Sequence, residues 1–106
     1  MLSRTEEIVL LAIWQLQDEA YGVAILEKIK AMTGKDWTFG AIYAPLHRLE
    51  KRRLVASLRG APLPERGGRF RVYYKVTPAG LDSMADAKAV HEAIWKDAPW
   101  PKRTKA

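Results

Sequence analysis

Between Lys51 and Lys75 the chain carries eight basic side chains (Lys51, Arg52, Arg53, Arg59, Arg66, Arg69, Arg71 and Lys75) against one acid, Glu65. The net charge of all 106 residues is +6, so this quarter holds the whole excess and the remainder is close to neutral. A local run of cations is the chemistry of phosphate neutralisation, as nucleic acids and anionic membrane surfaces require. Other chemistry finds little footing. His47 and His91 are the only histidines and lie 44 residues apart. Only Glu50 stands near His47 at a ligand-like spacing, so no metal site is expected. The absence of cysteine excludes disulfides, Cys-ligated zinc, iron–sulfur clusters and thiol nucleophiles. The carboxylates are scattered and no glycine-rich phosphate loop is present; Gly67-Gly68 reads as a turn. Neither an enzyme nor a bound cofactor is expected.

The elements that must position the cations follow from periodicity and caps. Ser3 and Glu6 form a capping box ahead of a helix over about Arg4 to Gln17. Its residues Ile8 to Trp14 are apolar nearly all round, which in one small domain implies burial against a partner subunit. That run is too short for a signal peptide or membrane span, and a cytoplasmic location is expected. A second helix is expected over about Tyr21 to Thr33, with Val23, Leu26 and Ile29 inward and Gly34 as its C-cap. A third starts after the N-cap Thr38 and runs to about Arg53, with Ile42, Leu46 and Leu49 as its core face. Pro45 within it removes one backbone hydrogen bond. Arg53 is expected toward the core side, capping the C-terminus.

From Leu54 to Leu58 the pattern becomes a short strand, Arg59 to Gly68 a loop rich in glycine and proline, and Phe70 to Val76 a second strand. Thr77 and Pro78 open a fourth helix to about Lys96. The fold class is therefore mostly α with a β-hairpin: a winged helix-turn-helix over residues 1–76, a further helix within 77–98 and a basic tail over 99–106. In a winged helix the third helix enters the major groove and the hairpin reaches neighbouring backbone. Gly40, Tyr43, Ala44, His47, Arg48 and Lys51 fall on the outward face of helix three, with Ala41 beside them. The small residues allow close approach to DNA, and Arg66, Arg69 and Arg71 sit in or beside the wing tip.

The segments Asp18-Glu19-Ala20-Tyr21-Gly22-Val23, Gly40-Ala41-Ile42-Tyr43-Ala44, Leu46-His47-Arg48-Leu49-Glu50, Pro64-Glu65-Arg66-Gly67-Gly68-Arg69 and Tyr73-Tyr74-Lys75-Val76-Thr77-Pro78-Ala79-Gly80 resemble, in order and spacing, a PadR-family transcriptional regulator. The resemblance implies a winged helix whose C-terminal helix builds a homodimer, and a single such helix is similar to the short subclass. It also implies that Thr38, Ala41, Tyr43 and Arg48 occupy recognition-helix positions. By the same resemblance Tyr21 lies at the start of the preceding helix, and Arg69 and Arg71 lie in the wing. Pro45 departs from the residue usual in the family.

The expected function is a homodimeric, sequence-specific regulator, most often a repressor in proteins it resembles, bound to a pseudo-palindromic double-stranded DNA operator. A protein-interaction adaptor and a non-specific nucleic-acid binder are the alternatives. Trp14, Leu81, Met84, His91, Ile94 and Trp95 are expected at the dimer interface. Some relatives implied by the resemblance sense planar aromatic compounds between subunits, and Trp14 and Trp95 are placed to do so here.

Overall fold

The computed structural model describes residues 1–62, 67 and 70–104, and within these the side chain of Pro62 is excluded. The architecture is a winged helix-turn-helix followed by one long helix: α1 (Arg4–Leu16), α2 (Gly22–Thr33), α3 (Phe39–Lys51), β1 (Val55–Pro62), β2 (Phe70–Val76) and α4 (Pro78–Trp95). Arg66 and Arg69, expected at the wing tip, lie outside the described residues.

α1 begins at the capping box that its sequence announces. Ser3 Oγ accepts the Glu6 N–H at 3.1 Å, and Glu6 Oε1 accepts the Ser3 N–H at 2.8 Å. A 3-10 turn over Gln17–Glu19 leads to buried Ala20, whose carbonyl accepts the Tyr74 N–H at 2.8 Å. Tyr21 forms a bridge with Tyr73, so the link between α1 and α2 acts as a minimal third strand beside β2.

α2 turns Leu26 and Ile29 inward as its sequence suggests, but Ile25 takes the place expected of Val23. Ile25 and Ile29 are fully buried and Leu26 is half-buried, whereas Val23 is 59% exposed. With apolar residues at 23, 25, 26 and 29, the helical phase is set by which ones α1 and α3 can cover. Val23 instead lines a cleft on the α3 side. Gly34 ends the helix at φ +67°, its N–H donating to the Lys30 carbonyl at 2.8 Å, as a left-handed C-cap should.

α3 starts at Thr38, whose Oγ1 accepts the Ala41 N–H at 3.2 Å, and buries Ile42, Pro45, Leu46 and Leu49. The helix continues through Pro45, whose ring occupies the buried flank. Its end is a Schellman motif: the Arg53 N–H donates to Glu50 O at 3.0 Å and the Leu54 N–H to Leu49 O at 2.9 Å. Arg53 takes the left-handed position at φ 62°. It therefore caps with its backbone, while its side chain is exposed rather than turned to the core.

The hairpin is antiparallel, with Val55 opposite Val76 and Arg59 opposite Val72. β1 extends to Pro62, beyond the expected end at Leu58, with a register shift between Arg59 and Pro62 that places Pro62 opposite Phe70. Gly60 and Pro62 read as turn residues, yet an edge strand with a bulge accepts both.

Val9, Leu10, Ala12, Ile13, Ala20, Ile25, Ile29, Ile42, Leu46, Leu49, Leu54 and Val55 make one core. α4 barely enters it. Thr77 Oγ1 donates to Arg53 O at 2.7 Å and accepts the Gly80 N–H at 3.1 Å, and Gly80 is the only buried residue of α4. The radius of gyration is 16.0 Å, against about 13 Å for a compact chain of this length, as α4 and the hairpin both reach beyond the core.

A Cβ added at Gly80 would lie 2.2 Å from the Leu54 carbonyl oxygen and 2.8 Å from Val76 Cγ1, and neither neighbour is a flexible side-chain end. Gly80→Ala should therefore destabilise the fold by about 2–3 kcal/mol in denaturant unfolding. An unchanged midpoint would show that α4 does not seat as described.

Candidate nucleic-acid interface

The face of α3 away from the core presents Gly40, Ala41, Tyr43, Ala44, His47, Arg48 and Lys51, all exposed, with Thr38 exposed at its start. The structure thus brings the expected helix-three residues onto one surface. It adds Phe39, whose ring joins the same row. Phe39 and Tyr43 have ring centroids 6.3 Å apart, and Tyr43 and His47 stack at 6.3 Å with 11° between planes. The i, i+4, i+8 spacing of three rings was the available signal.

Across from this row stands the wing. Tyr21 packs edge-to-face on Tyr73 at 5.6 Å, and the Arg71 guanidinium lies 4.0 Å from the Tyr21 ring centroid. Arg71 is half-buried, so this wing residue belongs to an aromatic cluster as well as to the basic segment. Tyr21, Val23, Phe39, Tyr43, Phe70 and Arg71 line a cleft of about 240 Å³ between α3 and β2.

Arg48 has a more specific position than a generally outward one. Its Nε lies 3.4 Å from Glu6 Oε2, and Arg52 Nη1 lies 3.5 Å from the same oxygen. The Glu6 side chain is 7% exposed, those of Arg48 and Arg52 53% and 41%. Burial pushes the Glu6 carboxyl up, but the Ser3 amide and side chain, with Arg52 and Arg48, outweigh it and hold the carboxyl below its usual value of 4.5. Arg48 and Arg52 are spaced i, i+4 on the flank of α3 that meets α1. Nothing in their local sequence identifies Glu6, more than forty residues earlier, as the shared partner.

The residues expected at a subunit interface divide into two groups. Met84 packs against the core, and His91 Nε2 lies 2.9 and 3.0 Å from the two Glu7 carboxylate oxygens, so both make contacts within their own chain. Leu81, Ile94 and Trp95 are exposed, as is Trp14 on α1. Trp95 and Trp100 have centroids 5.9 Å apart and border an open cleft of about 610 Å³ with Arg4, Glu7, Ile8, His91 and Glu92. Trp14 does not line that cleft. Among the described residues no three His, Asp or Glu side chains are grouped to hold a metal ion, and no helix is long and apolar enough to cross a membrane.

A family model described as the transcriptional regulator PadR-like family matches residues 9–86. Among solved structures the chain is similar to a PadR-like transcriptional regulator from Bacillus cereus, at 25% identity and TM-score 0.71 over 86% of this chain and 84% of that one. A PadR family regulator from Eggerthella lenta gives 28% identity and TM-score 0.67 over 83% and 74%. One from Clostridium difficile gives 25% and 0.69 over 86% and 91%. No curated protein matches the chain.

Glu6→Gln withdraws the charge that Arg48 and Arg52 share and should lower stability at neutral pH by about 1–2 kcal/mol. Because the native carboxyl is held below its ordinary value, its contribution is complete above that value and lost as pH falls through the lowered native one. The stability gap between wild type and Glu6→Gln should therefore close as pH drops below 4.5. Denaturation curves that stay parallel down to low pH would contradict the clamp.

Proposed function

The chain belongs to the PadR-like family of transcriptional regulators, and from that premise we propose that it is a homodimeric, sequence-specific repressor of the cytoplasm. Residues 1–76 contact the operator and the helix within 77–98 joins two copies. The observation that carries this reading is the exposed face of α3, capped at Thr38 and flanked by a hairpin, at the head of the basic segment. Lys51, Arg53, Arg59 and Lys75 are all exposed around it. Wing and helix-end cations would bind phosphates and supply affinity, and the α3 face would supply selectivity. In a twofold dimer the two recognition helices read half-sites about one helical turn apart, roughly 34–36 Å.

The second copy is supported by α4. Val90 and Ile94, one turn apart, are exposed on α4, as are Leu81 and Trp95 on another side of it, and apolar side chains left open on a helix support an interaction face. The Trp95–Trp100 cleft, lined also by Ile8 and Arg4, supports a planar aromatic effector that relieves repression by binding beside the dimer helix.

Selection from a random DNA pool should recover a pseudo-palindrome, and no enrichment would defeat the sequence-specific reading. With about four phosphates neutralised per subunit, log affinity should fall with log salt at a slope of about −7 for the dimer. Lys51→Ala should make that slope shallower by about two, one contact per subunit; an unaltered slope would remove Lys51 from the phosphate contacts. Ile94, 65% exposed, tests the dimer. Ile94→Asp should give a folded monomer in sedimentation and weaken operator binding at least tenfold, whereas an intact dimer would move the interface off α4.

A further inference from the structure

The donor and acceptor inventory of α3 limits what it can read. In the major groove, guanine is read by bidentate Arg or Lys, adenine by Asn or Gln, cytosine by Asp or Glu, and thymine by apolar contact with its 5-methyl group. The chain has no asparagine, and its glutamines, Gln15 and Gln17, lie at the end of α1 and in the turn after it. The one carboxylate of α3, Glu50, accepts a hydrogen bond from Ser57 Oγ on β1. Arg48, the one arginine within α3, and Arg52 beyond its end are held on Glu6. Lys51 is the last residue of the helix, whereas recognition helices contact bases with their N-terminal residues. Thr38 Oγ1 is committed to the cap.

Apart from the exposed Tyr43 hydroxyl and the His47 ring just beyond, which make single rather than bidentate hydrogen bonds, the N-terminal two turns present apolar groups. Phe39 and Tyr43 stand out as exposed rings, and with exposed Val23, Phe70 and Val72 they line the cleft between α3 and the wing. A monomeric surface rarely gathers this much large apolar area without a ligand for it. A Cβ at Gly40 would meet only Thr38 Oγ1, at 3.9 Å, so no internal contact demands glycine there and the bare backbone faces outward.

We propose that α3 selects its operator through thymine 5-methyl groups, packed against Phe39, Tyr43 and the Ala44 methyl, without a bidentate contact from this helix to guanine or adenine. The proposal rests on the DNA-binding reading above and adds the chemistry of selection: half-sites identified by the placing of thymines, on either strand, at the major-groove edge. Basic residues beside the cleft hold the backbone, and the rings meet what protrudes from the base edges.

The test uses the full-length protein and the operator recovered by selection. Each thymine is replaced in turn by deoxyuridine, which removes only the methyl, and each guanine by 7-deazaguanine, which removes the N7 acceptor. Binding should weaken about fourfold per methyl contacted, at one or more thymines in each half-site. That penalty should vanish at a matching position in Phe39→Ala or Ala44→Gly, and the 7-deazaguanine duplexes should bind within twofold of the parent. Deoxyuridine duplexes that all bind like the parent, with a tenfold loss at a deazaguanine, would overturn the proposal while leaving sequence-specific binding intact. Failure to enrich any operator would overturn both.

Discussion

One carboxylate organises this molecule. Glu6 closes the capping box that starts α1 and, through its other oxygen, takes up Arg48 and Arg52 from the far end of α3. A charge this buried is tolerated only because its bonds are made, and the two arginines keep part of their surface in water, which limits the desolvation penalty. The clamp agrees with the rotation of α3 that burial of Ile42, Leu46 and Leu49 sets. With the Arg48–Arg52 flank turned to α1, Ile42, Leu46 and Leu49 fall into the core and the Phe39–Tyr43–His47 row faces out beside the wing.

The wing inherits its place from the same helix end. Arg53 reverses the chain in a left-handed conformation, Leu54 drops into the core, and Thr77 then binds back to both, its hydroxyl on the Arg53 carbonyl and its amide on Leu54 O at 3.0 Å. Further along, β2 is fixed to the α1–α2 link through Ala20 and Tyr21. The hairpin is thus anchored at its base and along one edge, opposite the exposed face of α3. Duties separate accordingly: cations at the end of α3 and in the hairpin suit phosphates, while the start of α3 is apolar and suits base edges.

Much of this was legible in the sequence because it is local. Ser3 with Glu6, Thr38, Gly34 and Thr77-Pro78 announce helix ends through bonds made within four residues, and the Ile42, Leu46, Leu49 spacing gives the phase of α3 directly. What was not legible depends on distant partners. α2 offers apolar residues on more than one side, so its buried face is decided by α1 and α3, which cover Ile25 and leave Val23 out. β1 runs past Gly60 to Pro62 because β2 pairs with it there. Arg48 is marked as outward by its helical phase, but its ion pair with Glu6, more than forty residues away, has no local signal. His91 and Met84 have partners within the chain, Glu7 and the core, that lie too far off in sequence to be read locally. Pro45 fits because it falls on the buried flank, where its ring packs as an apolar group.

The central claim is that Arg48 stays on Glu6 while the apolar start of α3 meets the bases. The most direct measurement is the arginine Nε–H region of the nuclear magnetic resonance spectrum of the nitrogen-15-labelled protein, free and bound to its selected operator, with Arg48→Lys identifying the signal. The account predicts an Arg48 Nε–H signal that is coupled to Glu6, shifting in Glu6→Gln, in both states. Loss of that coupling on binding, with a new contact from Arg48 to a guanine, would contradict it.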